Sequence, residues 1–224
     1  MGRTGTKSKD FINRVNSLET VEQRHELIMD KTPVCSDNPK EMFDFIYEAD
    51  ADPWSYDNEE AYRPLWDKIM ENIKDLVKDK SVIDLGCGRG HVWRYMEKNE
   101  NATWKDLLGL DISEKACKLA SGIKNSTFTT KDFSDENLSL PKTDIVFSIS
   151  ALYYVPSTKR KLLYKKICDA SPEYIVSIAT RFSKDQIYNF PSVYSSKYSI
   201  VSEFNVRLKS PLSVGYHGKI WKRE

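Results

Sequence analysis

Apolar residues in this chain follow two rhythms, and the change falls near Ser81. Before it they recur at helical spacing. Thr20 to Gln23 fits a capping box, in which the Thr hydroxyl and the Gln amide satisfy free backbone amides at a helix start. Asn38-Pro39-Lys40-Glu41 repeats that signature, with Pro at the first helical position and Glu three residues after the cap. Met42, Phe43, Ile46 and Tyr47 then form one apolar face. A longer helix is predicted from about Tyr62, with Leu65, Trp66, Ile69, Met70, Ile73, Leu76 and Val77 on its inward side.

From Ser81 short apolar runs alternate with amphipathic segments. Strands are predicted at 81–87, 107–112, 127–130, 144–150 and 174–180. Helices are predicted at 91–98, after a Ser113 cap with Ala116, Cys117, Leu119 and Ala120 inward and Gly122 as the stop, and at 157–170. Strands that alternate with helices pair in parallel and take helices on both faces. The end differs. Residues 198–208 alternate through Phe204, Val206 and Leu208, Ser210-Pro211 turns the chain, and Leu212, Val214 and Tyr216 alternate again. Two strands joined so closely are antiparallel. The expected fold is α/β, a mostly parallel seven-stranded sheet ending in an antiparallel hairpin, with a helical extension in front.

Composition narrows the function classes. The chain has 224 residues and is 40% hydrophobic, which suits one α/β domain with an extra segment. We divide it into an N-terminal helical extension or lid, 1–60, and a main domain, 61–224. Its 34 basic and 33 acidic residues give a net charge of +1, so no overall field draws it to nucleic acid or an anionic membrane. Lys159-Arg160-Lys161 and Lys165-Lys166 read as a solvated helix face. No apolar run approaches the roughly 20 residues that span a bilayer, and the polar, basic start is not expected to be a secretory signal. Cys35, Cys87, Cys117 and Cys168 are widely spaced, and only three His are present. We therefore expect reduced thiols, a cytoplasmic protein and no metal site.

The chemistry concentrates in Asp84-Leu85-Gly86-Cys87-Gly88-Arg89-Gly90, a buried strand that runs into a glycine-rich turn and a helix. Glycine there permits backbone angles that a Cβ forbids and lets a ligand lie on the main chain. Such a turn sits where open parallel sheets bind ligands. A dinucleotide fingerprint would place a third glycine where His91 stands. The spacing instead resembles motif I of class I S-adenosylmethionine (SAM)-dependent methyltransferases, which have a Rossmann-like fold. Under that resemblance Gly86, Cys87, Gly88 and Gly90 cradle SAM, and Asp84 favours its cationic groups. Asp111 closes the second strand, 21 residues past Gly90, where a carboxylate can accept both ribose hydroxyls.

The resemblance covers about residues 60–180 and implies further roles. Ile112 lies on one adenine face, Asp132 takes the adenine amino group, and the Phe133 amide addresses the ring. Ser148 and Ile149 offer backbone contacts to the SAM amino group, while Tyr153 and Tyr154 are candidates to shape the acceptor pocket, with packing of the following helix by one of them as the alternative. Asp52-Pro53-Trp54-Ser55-Tyr56, Tyr62 and Leu152-Tyr153-Tyr154-Val155 are also similar to segments of NodS-like N-methyltransferases, which methylate an amine on a chito-oligosaccharide. Trp54, Tyr62 and Arg63, with Tyr56 toward the acceptor, are then candidates for a lid over SAM. Two departures stand out: Ser150-Ala151 replaces the acid often found before Leu-Tyr-Tyr, and Ser171-Pro172-Glu173 replaces a Pro-Gly-Gly turn.

The function implied is methyl transfer from SAM to a small or medium-sized acceptor, with an amine on a metabolite or sugar as the acceptor group. An RNA or DNA methyltransferase is the first rival. It lacks support, because this sequence shows no Asn-Pro-Pro-Tyr-type tetrapeptide and no basic tail. A non-catalytic SAM-binding module and a nicotinamide dehydrogenase are the others, the latter disfavoured by His91 in place of glycine. No residue stands out as a catalytic base, and His91 reads first as a residue covering its helix.

Overall fold

A computed structural model describes residues 39–100, 102–180, 197–209 and 215–224, with Asn13 and Ser17 as isolated positions. The Thr20 capping box, Asn38 and the Ser210-Pro211 turn lie outside these residues. Helix α1, Pro39–Ala49, begins on its proline, where a missing N–H leaves no bond unmade. Its predicted face of Met42, Phe43, Ile46 and Tyr47 is buried. Helix α2, Glu59–Val77, starts three residues before Tyr62, because the Asn58 side chain accepts the Ala61 N–H at 3.2 Å.

Five strands then alternate with helices: β1 Ser81–Leu85, α3 His91–Glu100, β2 Asp106–Asp111, α4 Glu114–Ala120, β3 Ser126–Thr130, β4 Ile145–Ile149, a 3-10 turn at Leu152–Tyr154, α5 Ser157–Asp169 and β5 Tyr174–Thr180. Strands β6 Tyr198–Arg207 and β7 Gly215–Arg223 complete a seven-stranded sheet in the order β3-β2-β1-β4-β5-β7-β6. The first five pair in parallel, while β7 is antiparallel to both β5 and β6. The expected mixed sheet with its closing hairpin is what forms.

Side-chain alternation along the strands builds two cores. Val82, Leu107, Phe147, Val176 and Ile178 face α2 and α3, and Ile83, Leu85, Val146 and Ile175 face α5. One inward assignment is corrected: Leu119 is exposed, since α4 turns only Ala116, Cys117 and Ala120 into the core. Ser113 caps α4 as expected, its hydroxyl accepting the Ala116 N–H at 3.2 Å. That same hydroxyl donates to Asp44 Oδ1 at 2.7 Å, which ties α1 across the carboxyl end of the sheet.

Candidate active site

Strand β1 ends at Leu85 because Gly86 leaves the extended region at φ +80°. The loop after it is stitched to the end of β2, with the Gly86 and Cys87 N–H groups donating to the Leu110 carbonyl at 2.7 and 3.1 Å. Asp111 follows at once and holds the loop from below. Its Oδ2 accepts the Gly88 N–H and its Oδ1 the Ser113 N–H, both at 2.9 Å. Burial pushes this carboxyl above its usual range, and those backbone donors offset part of the effect. A carboxylate has about four acceptor positions; these two donors and the Ile112 N–H take part of them, and the remainder is open to a ligand.

Asp84 lies on the α2–α3 side of β1, in phase with Val82. It is 1% exposed. Trp93 Nε1 donates to its Oδ2 at 2.7 Å, while Oδ1 is buried without a hydrogen-bond partner. Burial pushes its carboxyl up to about 7. The Trp93 bond opposes that shift and the Asp111 charge adds to it.

These groups form one wall of a cavity of about 400 Å³. Its volume suits a nucleoside-sized ligand. Gly86, Cys87, Gly88, Asp111, Ile112, Asp132 and Phe133 line the glycine-loop side, and Ile149 and Ser150 line the end of β4. The opposite wall comes from the N-terminal segment through Phe43, Tyr47, Trp54, Tyr56 and Tyr62. Trp54 Nε1 donates to the Tyr47 hydroxyl at 3.2 Å, and the Tyr62 hydroxyl donates to the Trp54 carbonyl at 2.9 Å. Tyr56 meets Tyr62, Trp66 and His91 edge-on, with ring centroids 4.8 to 5.3 Å apart. Phe43 meets Tyr154 in the same way at 5.2 Å, so α1 closes over the turn that follows β4.

Three of the expected cofactor residues do not line this cavity. Gly90 takes φ +70° and packs toward Ile123. Ser148 points its hydroxyl to the Leu85 carbonyl at 2.8 Å, on the neighbouring strand. Arg63 is exposed, one helical step away from buried Tyr62. Tyr153 belongs to the 3-10 turn, and its side chain lies outside the described residues. The lining gains Phe43, Tyr47, Trp66, His91, Ser150, Thr180 and Tyr216. For α1 the signal was an apolar stripe at helical spacing, which says only that the helix is buried somewhere.

His91 faces two carboxylates. Its Nε2 is 3.3 Å from Asp52 Oδ1 and its Nδ1 3.7 Å from Asp57 Oδ1. Arg89 Nη1 donates to the Ala51 carbonyl at 2.9 Å and to Asp57 Oδ2 at 3.0 Å. Two side chains of the glycine-loop region thus hold the 51–57 loop against it. Among the described residues no His/Cys/Asp/Glu cluster is arranged to hold a metal, and no helix is long and apolar enough to cross a membrane.

The donor set fits SAM. An unpartnered buried carboxylate oxygen matches an ammonium, and Asp111 has acceptor positions left for a ribose. Gly88 lines the cavity and admits no side chain, since a Cβ there would stand 2.9 Å from the Tyr47 hydroxyl.

Residues 76–200 match the family described as a methyltransferase domain. The trans-aconitate 2-methyltransferase of Mycobacterium tuberculosis is 32% identical over 94 residues, which are 42% of this chain and 34% of that protein. The chain thus spans about a third of the length of the curated relatives it matches. Among solved structures, the N-methyltransferase NodS from Bradyrhizobium japonicum WM9, in complex with S-adenosyl-L-homocysteine (SAH), superposes with a TM-score of 0.62. It is 15% identical, and the match covers 78% of this chain and 93% of that one. Magnesium protoporphyrin IX methyltransferase from Synechocystis PCC 6803, with bound SAM, gives 0.57 at 14% identity over 98% and 92%. At these identities the likeness is one of fold.

Proposed function

The chain belongs to the family of SAM-dependent methyltransferases, and from that premise we propose that it methylates a small or medium-sized acceptor, an amine on a metabolite or sugar. Residues 61–224 act as the catalytic domain and the segment up to residue 60 as its lid. The observation that carries the reading is the unpartnered Oδ1 of Asp84, buried beside the glycine loop at the wall of the cavity. A carboxylate in that position is costly unless a cation meets it.

Asp84 would receive the ammonium of the methionine moiety, Asp111 the ribose hydroxyls, and Ile112 and Phe133 the faces and edge of the adenine, with Asp132 at its amino group. When bound, SAM supplies a methyl group made electrophilic by its attachment to a sulfonium. The protein's share of the work is orientation and exclusion of water, an effect that can reach roughly 7–11 kcal/mol when reacting groups are held in line. Trp54, Tyr56 and Tyr62 serve both ends as a roof that meets cations with aromatic faces. The NodS likeness supports an amine acceptor, because that protein is named an N-methyltransferase.

Titration calorimetry with SAM and SAH tests the reading. Saturable 1:1 binding of both is expected, weakened about 100-fold in Asp111→Ala, as loss of two charge-assisted bonds implies. Binding of neither compound would sink it.

A further inference from the structure

Resting on the methyl-transfer reading above, we propose that Ser150, Thr180 and Tyr216 form the acceptor subsite, and that it takes an uncharged amine and rejects a carboxylate. The three residues stand at the ends of neighbouring strands. Ile149 pairs with Ile178 between β4 and β5, and Thr180 pairs with Tyr216 between β5 and β7. All three line the cavity. The three residues follow one another along the carboxyl edge of β4 and β5 and the paired start of β7, next to the glycine loop, where Ala151 packs on Gly86.

Ser150 is the anchor of this row. Its hydroxyl oxygen is buried without a hydrogen-bond partner. Its backbone takes φ +52°, a left-handed conformation that costs a non-glycine residue energy, and its N–H donates to the Ile178 carbonyl at 2.8 Å. A strained residue of the cavity lining that keeps an unsatisfied hydroxyl is suited to a ligand hydrogen bond. The Tyr216 hydroxyl is already hydrogen-bonded with Tyr56 and Tyr62. It therefore presents a fixed direction rather than a free rotor.

The chemistry of the lining selects among nucleophiles. An alcohol must lose its proton to attack, and among the described lining residues no side chain is placed beside Ser150 to take it. His91 turns its ring nitrogens to Asp52 and Asp57, and Asp84 has Trp93 on one oxygen and, in the reading above, the methionine ammonium on the other. Two groups attack without a base: a neutral amine and a carboxylate. Charge decides between them. Among the described lining residues there is no Lys or Arg, while Asp84, Asp111 and Asp132 are all acids. A carboxylate acceptor would meet no cationic Lys or Arg of the described lining, whereas an amine can donate an N–H to Ser150 Oγ and keep its lone pair for the reaction. The nitrogen lone pair forms the new N–C bond, the S–C bond breaks with its electron pair left on sulfur, and the ammonium product then gives one proton to water.

The test is equilibrium binding to the SAH-saturated protein, read by calorimetry, with aniline (uncharged at neutral pH), benzoate and trans-aconitate as probes. Aniline is expected to bind at least tenfold tighter than either anion. Ser150→Ala is expected to weaken aniline binding about fivefold and leave SAH affinity within twofold. Ser150→Gly, which suits the backbone angle, should lose the same fivefold and so guards against misfolding of the alanine variant. Benzoate or trans-aconitate binding as tightly as aniline, saturation by none of the three, or aniline affinity unchanged in both variants would overturn the proposal. Failure of SAH itself to bind would instead remove the reading on which it rests.

Discussion

Trp93 Nε1 donates to Asp84 Oδ2 at 2.7 Å and leaves the other oxygen of that buried carboxyl unpaired. One bond from an indole cannot replace the water that a carboxylate loses on burial. Burial accordingly pushes the group up to about 7, against the Trp93 bond and with the Asp111 charge. Near neutral pH the site is half protonated, and a cation at Oδ1 is what would complete its ionised form. Two predictions start from this pair.

Binding of SAH should release a proton. Below about pH 7 the free protein carries a proton on Asp84, and an ammonium ligand prefers the ionised carboxylate. Affinity should therefore fall by up to about tenfold per pH unit from 7 toward 5, with no such slope above 8. Calorimetry in buffers of different ionisation enthalpy measures the release directly. An affinity that is flat from pH 5 to 8 would show that the ligand does not meet Asp84.

Folding stability should carry the opposite dependence. The folded-state value lies above the usual 3.8 for Asp, so the folded chain holds a proton that the unfolded chain has lost. This contribution to stability is full below about 3.8 and is lost as pH rises to about 7. The shift of some three units sets an upper bound of about 4 kcal/mol. Asp84→Asn keeps an acceptor for Trp93 and does not titrate. Its stability relative to the wild type, from urea unfolding, should rise between pH 4 and 7 and level off above. A constant difference across that range would refute the assignment.

Two glycines of one loop should separate in their effects. Gly90 has φ +70° and a Cβ there would stand 2.6 Å from Ile123 Cδ1, away from the cavity. Gly90→Ala should lower stability by about 1–2 kcal/mol from backbone strain, with SAH affinity within threefold. Gly88 has φ +52° and lines the cavity, and its added methyl would press on the Tyr47 hydroxyl. Gly88→Ala should lose a similar stability and, beyond it, at least tenfold in SAH affinity. Equal loss of affinity in both would mean that the loop binds through its overall shape rather than through Gly88.

What the sequence made legible was local. The β1 strand, its glycine turn and Asp111 fall within 31 residues, and strand alternation with the helix start after Gly90 fixes their order in space. Alternation also explains why Ser148, one step from Ile149, turns to Leu85 instead of the cavity. Helical phase does the same for Arg63 beside Tyr62. The roof was harder to foresee. The stripe of Met42, Phe43, Ile46 and Tyr47 announces burial but not its partner, and contacts distant in sequence, such as Asp44–Ser113 and Phe43–Tyr154, bring it over the site. Tyr216 reaches the cavity through its pairing with Thr180, 36 residues earlier. No short-range pattern records such a contact.

The roof is held at its 51–57 loop by charges of unequal value, and this sets a last prediction. Asp57 is 63% exposed on its side chain, so its pairing with Arg89 is screened by solvent and worth little. Asp52 is 14% exposed. Burial pushes its carboxyl up, but the His91 ring nitrogen 3.3 Å away and the Asp57 N–H at 2.6 Å outweigh that and hold it below its usual range. A depressed carboxyl contributes stability above pH 3.8 and loses it as pH falls through the folded value. Asp52→Ala should therefore speed SAH dissociation about five- to tenfold at neutral pH, because it frees the segment that carries Trp54 and Tyr56. Asp57→Ala should change it less than twofold. Stopped-flow displacement of a fluorescent SAH analogue reads both rates. If the exposed residue proved the more important, the closure of this roof would rest on the Arg89 pairing and not on the buried contact between His91 and Asp52.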